Sequence, residues 1–81
     1  MYKNRNSDGT LNICGKKVST LRMALNPVIS QRGLADKLQL AGIDLDKNAI
    51  QRIECGKRFV TDIEIRALAK VFDITTDELL K

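Results

Sequence analysis

The sequence predicts an all-α fold, a compact bundle of five short helices, and three observations carry that prediction. Apolar residues recur at helical spacing rather than in strict alternation. A serine, threonine or aspartate stands ahead of four of these runs. Glycine or proline stands at three of the four breaks between them. Eighty-one residues make one domain, and a chain this short buries only about 60% of its unfolded surface, so its core is modest. Aromatics are limited to Tyr2, Phe59 and Phe72, which leaves Leu, Ile, Val and Ala to fill that core.

Residues 1–12 are polar, with Ser7, Asp8 and Gly9 as turn formers, and are expected to form a flexible N-terminal arm ahead of a domain at 13–81. The first helix is expected over Gly15–Leu25, where Val18, Leu21 and Leu25 face inward among Lys16, Lys17, Ser19 and Arg22. Pro27 ends it, because proline disfavours a helical residue before it and cannot donate a hydrogen bond. Ser30 caps a second helix, Gln31–Ala41, with Leu34, Ala35, Leu38 and Ala41 inward. Gly33 within it costs about 1 kcal/mol relative to alanine and reads as a neutral surface choice.

Gly42 closes the second helix. Asp46 then caps a third, Lys47–Cys55, which Gly56 stops. Its inner face is Ala49, Ile50 and Ile53, and at about nine residues it must be held by its neighbours. Thr61 caps a fourth helix, Asp62–Phe72, with Ile65, Leu68, Ala69 and Phe72 inward. Thr75-Thr76-Asp77-Glu78 reads as a capping box opening a last short helix that carries Leu79 and Leu80.

Fourteen basic and ten acidic residues give a net charge of +4, and the excess is uneven. Residues 1–58 hold eleven basic and five acidic residues; residues 59–81 hold three and five. A basic front with a mildly acidic tail fits a protein that presents one side to a polyanion, although many small soluble proteins are this basic. No apolar run approaches the ~18 residues of a membrane span, and the N-terminus is too polar for a signal peptide. The two cysteines, Cys14 and Cys55, form no CxxC pair and there is no histidine, which argues against a zinc site and for a cytoplasmic location. No cofactor is expected. The absence of a glycine-rich phosphate loop and of a nucleophile motif argues against an enzyme.

The third helix is the informative element. Lys47, Asn48, Gln51 and Arg52, then Cys55, share the side opposite Ile50 and Ile53. Asn and Gln pair bidentately with adenine in the major groove, and Arg and Lys with guanine. No acid stands on this face, and a short helix fits the roughly 12 Å major groove with its first residues at the base edges. A plain solvated surface has the same composition. The context favours DNA. Gln31 starts the preceding helix, where free N–H groups and the positive helix end suit a phosphate. Lys57 and Arg58 follow Gly56, where they would anchor the flanking backbone, with Arg32 and Lys16 or Lys17 as weaker candidates. Cys55 is expected to be a small filler; oxidation there would add bulk near the DNA.

The stretches SQRGLADKL, AIQRIECGKR and LAKVFDITTDELL resemble the helix-turn-helix domain of the phage Cro and C1 repressor type, the XRE family, over about residues 15–80. The resemblance implies a lambda-repressor-like five-helix domain that binds operator DNA, usually as a two-fold dimer. It implies Gln31 on a phosphate, Lys47, Asn48, Gln51 and Arg52 over bases or the adjoining backbone, and Lys57 and Arg58 on the sugar–phosphate chain. It also implies a salt bridge between Arg22 and Glu54. Two departures stand out: LNPVIS is about two residues longer than the common pattern, and the connection around LQLAGIDLD about five. The second predicts either a longer second helix or an open loop.

The expected function is therefore a sequence-specific double-stranded DNA-binding regulator, a repressor, working as a homodimer on a near-palindromic operator. The alternative is a protein-interaction module or antitoxin of the same fold, using apolar groups around Phe59, Ile74, Leu79 and Leu80.

Overall fold

Capping chemistry sets where four of the five helices begin. The computed structural model describes residues 6–81 and shows, among them, five helices and no strand: α1 (Gly15–Ala24), α2 (Gln31–Leu40), α3 (Lys47–Glu54), α4 (Asp62–Val71) and α5 (Thr76–Leu79). The side chains of Ser30, Asp46, Thr61 and Thr75 each accept a hydrogen bond from the backbone N–H three residues on. Each cap of this kind contributes about 0.5–2 kcal/mol. The complete capping box lies at Thr61, where the Glu64 carboxylate also accepts from the Thr61 N–H; this corrects the expectation that placed it at Thr75. At Thr75 only the hydroxyl bond forms, and Glu78 pairs with Lys81 at 3.3 Å.

Three helices end in the same way. After α2, α3 and α4 one residue turns left-handed: Gly42 (φ 89°), Gly56 (φ 75°) and Asp73 (φ 57°). Paired backbone bonds then run back into the last turn, for example Gly42 N–H to Gln39 O and Ile43 N–H to Leu38 O. This arrangement satisfies carbonyls that a helix end would otherwise leave open. It also settles the long connection before α3. Gly42 stops α2 and residues 41–46 run as an open loop, anchored by Leu45, which is buried, and Ile43, which is half-buried.

The core is one cluster to which every helix contributes, including Val18, Leu34, Leu38, Ile50, Ile53, Leu68 and Leu79, all fully buried. Burying each of these side chains contributes about 1.5–3 kcal/mol. α3 packs against both α1 and α2, and α4 against α2 and α5. α1 approaches the end of α3 so closely that a Cβ on Gly15 would overlap the Ile53 carbonyl. Gly33 has no such constraint: its hypothetical Cβ meets only ordinary contacts at 3.4 Å and beyond. Among the described residues no helix is long and apolar enough to cross a membrane.

The N-terminal segment departs from expectation. Residues 1–5 lie outside the described residues. From Asn6 to Asn12 the chain does not trail as an arm but closes a turn, Asn6 N–H to Thr10 O at 2.7 Å, and binds the end of α3. Asp8 holds that turn by accepting from both the N–H and the hydroxyl of Thr10, and the hydroxyl bond is the main reason its carboxyl sits below the ordinary value.

Candidate nucleic-acid interface

α3 divides by helical period into two faces. Ala49, Ile50 and Ile53 are buried; Lys47, Asn48, Gln51 and Arg52 are exposed, and so is Cys55 just past the end. Among the described residues, the side chains of Lys47, Asn48, Gln51 and Arg52 have no hydrogen-bond or ion-pair partner within the protein, which leaves amide, ammonium and guanidinium tips free in one row. Asp46, at the helix start, is spent on the Ala49 N–H at 2.7 Å. On the flank beside Lys47 a shallow cleft mixes Arg32, Asp36, Asp44 and Lys47, so the free row is bordered there by acid.

The other end of α3 is braced. Glu54, with a side chain only 7% exposed, accepts from Arg22 Nε at 2.8 Å, Arg22 Nη2 at 3.0 Å and Gln31 Nε2 at 3.0 Å. Arg22 Nη1 also donates to Ile29 O at 3.0 Å. The two parallel bonds give the pair a bidentate geometry and hold the Arg22 guanidinium above its ordinary range, the Glu54 hydrogen bond being the largest cause. One carboxylate thus ties α1, the start of α2 and the last turn of α3 together. The brace uses up the one acid on α3 and fixes the helix angle against its neighbours.

Two residues expected on phosphate, Gln31 and Arg58, make bonds within the protein. Gln31, expected on a phosphate, is half-buried and gives an amide N–H to Glu54, so it is part of the brace. Arg58, also expected on a phosphate, turns back into the protein. Its guanidinium donates to Glu64 at 2.9 and 3.2 Å and to Phe59 O at 2.8 Å. Glu64 is held in place by its capping-box role, and the hydrogen bond from Arg58 is the largest cause of its carboxyl sitting below the ordinary range; burial opposes this. The sequence hides this pairing because Arg58 and Glu64 belong to a loop and the helix after it. Arg32 is exposed on α2, and Lys57 is exposed just past Gly56 with its backbone N–H held by Arg52 O at 2.8 Å.

Sequence reasoning passed over Asn12 altogether. Its carboxamide is half-buried and makes three hydrogen bonds, two of them to residues more than forty positions away. Only the Gly15 bond, three residues on, has a local signature. Of the apolar groups, Leu79 is buried in the core, Ile74 and Leu80 are half-buried against it, and Phe59 is 52% exposed. Cys14 is buried, and burial raises its thiol above the ordinary value. No protein-family model, curated protein or solved structure matches the chain.

Proposed function

We propose that this chain is a sequence-specific double-stranded DNA-binding transcriptional regulator of the lambda-repressor-like helix-turn-helix type. It acts as a repressor in the cytoplasm, with two copies on a near-palindromic operator. The observation that carries the reading is the row Lys47, Asn48, Gln51 and Arg52: exposed, free of protein partners and mounted on a helix braced by Glu54, Arg22 and Gln31. Amide and guanidinium tips in that row match the donor and acceptor pattern of base edges in the major groove. Lys57 and Arg32 supply sequence-independent contacts to phosphate, so binding falls steeply with salt.

Selecting bound sites from random duplex DNA tests the reading. An enriched motif with two-fold symmetry and half-sites about 34 Å apart is the expected result. No enrichment, together with no binding at low salt, removes it. A second reading, a protein-interaction module or antitoxin of the same fold, draws on exposed apolar groups away from α3, notably Ile63 at 61%. Capture of a protein partner by a chain that ignores DNA would favour it.

A further inference from the structure

The segment Asn6–Asn12 and the loop after α3 grip each other at several points. Leu11 N–H donates to Gly56 O at 2.8 Å. Thr10 lies so close that a Cβ on Gly56 would come within 2.6 Å of the Thr10 methyl. Asn12 Nδ2 donates to Ile53 O at 3.1 Å and to Arg58 O at 2.8 Å, while its Oδ1 accepts from Gly15 N–H at 2.8 Å. These bonds use both amide hydrogens of Asn12 and its oxygen. One carboxamide thereby joins the start of α1, the last turn of α3 and the exit of the loop.

Lys57 sits between the anchored residues. The carbonyl before it (Gly56) and the carbonyl after it (Arg58) are both held from the N-terminal side, and its own N–H is held by α3. Its side chain is left exposed on a backbone fixed from both directions. A cation presented in that way loses less freedom on meeting a phosphate than one on a mobile loop. We infer that Asn12 is the positioning residue for Lys57 at the candidate DNA surface, acting through the loop Gly56–Arg58 without touching DNA itself. This rests on the reading of that surface as a duplex-binding one.

Asn12→Ser separates positioning from folding. Serine keeps a short oxygen able to accept the Gly15 N–H, as such residues do at helix starts and turns. It adds no charge, and it cannot donate to both carbonyls. The probe is a 20-base-pair mixed-sequence duplex, with binding followed by fluorescence anisotropy across a salt series. Lys57→Ala should lower the salt slope by about one, which is roughly eightfold in affinity at 0.1 M monovalent salt. Asn12→Ser should lose affinity by a comparable factor with its helical signal intact. The double variant should bind like Lys57→Ala alone, within a factor of about two. Wild-type affinity in Asn12→Ser, or a double variant showing the product of the two losses, overturns the inference. Amide exchange supplies a readout independent of DNA: the Leu11 N–H, held by Gly56 O, and the Lys57 N–H, held by Arg52 O, should exchange faster in Asn12→Ser while α4 and α5 do not. Unchanged exchange at those amides also overturns it. A wild-type chain that binds no duplex at low salt sinks the proposed function instead, and exchange still decides the role of Asn12.

Discussion

α3 and α4 share the chemistry of their ends. Each begins at a side-chain cap, Asp46 or Thr61, and each stops where one residue turns left-handed, Gly56 or Asp73. They differ in what fills the turns between. α4 opens with Asp62 and Glu64 and closes with Lys70, the order that the helix dipole favours. After its left-handed residue comes Ile74, half-buried against the core. α3 opens with Lys47, against the dipole, has no acid in its first turn, and follows its left-handed residue with exposed Lys57. α3 closes with Arg52 as α4 does with Lys70; it is the first turn and the residue after the left-handed one that α4 gives to stability and α3 to cations. A helix of eight residues has little stability to spare, so this choice points to a use for the outer face beyond solvation.

The strongest way to break the comparison is through the core, where the two helices should behave alike. Ile53→Ala and Leu68→Ala each empty a fully buried site and should each cost about 2–5 kcal/mol in urea unfolding. That is a large part of the ~5–15 kcal/mol a whole domain possesses. A much smaller loss at Ile53 would mean that α3 is only loosely attached.

The next effect should separate the outer faces. Arg52→Ala should lower affinity for the selected site by about 1–3 kcal/mol and relax the choice at one base. Arg66→Ala removes an exposed guanidinium from α4 and should leave DNA binding unchanged. Equal losses from both would reduce the α3 row to general positive charge. A loss from Arg52→Ala that is the same on every sequence would assign Arg52 to the backbone.

Below that in size stands the pair that closes the α4 cap. Glu64→Gln removes the bidentate partner of Arg58 and weakens the capping box, at about 0.5–2 kcal/mol. The folded carboxyl lies below its ordinary value of 4.5, so it releases its proton more readily in the native state. Its contribution is therefore fully present above the ordinary value and lost as pH falls through the depressed one. Wild type should lose stability on acidification through that window, and Glu64→Gln should lose less. Thermal unfolding at several pH values below 5 checks the difference. An identical acid limb in the two proteins would show that Glu64 is not the titrating group.

What could be read from the sequence follows the range of each interaction. Caps at Ser30, Asp46, Thr61 and Thr75 were legible because the donor lies three residues from the acceptor. The two faces of α3 were legible because period 3.6 separates Ile50 and Ile53 from Gln51 and Arg52. The complete capping box was misplaced because Thr61 and Thr75 both precede a glutamate by three, and a local pattern cannot say which glutamate is drawn elsewhere. Arg58 and Asn12 were illegible for the same reason at longer range. Their partners are Glu64 across a loop, and Ile53 and the Arg58 carbonyl across the fold. The bond from Gln31 to Glu54 is out of reach in the same way, because nothing in the sequence around Gln31 announces Glu54.

The smallest effect is the sharpest on the point at issue. Lys47 is the first residue of α3, so its charge meets the positive end of the helix dipole. Lys47→Glu gives α3 the acidic first turn that α4 already has. It should raise stability by about 0.3–1 kcal/mol at low ionic strength, and the gain should shrink with salt. The same change puts a carboxylate in the row otherwise free of acid, so affinity for duplex DNA should fall. Opposite signs in urea unfolding and in DNA binding are what a position kept for recognition at the expense of stability must give. If Lys47→Glu leaves both unchanged, the charge at the head of α3 serves neither purpose and the contrast with α4 loses its meaning.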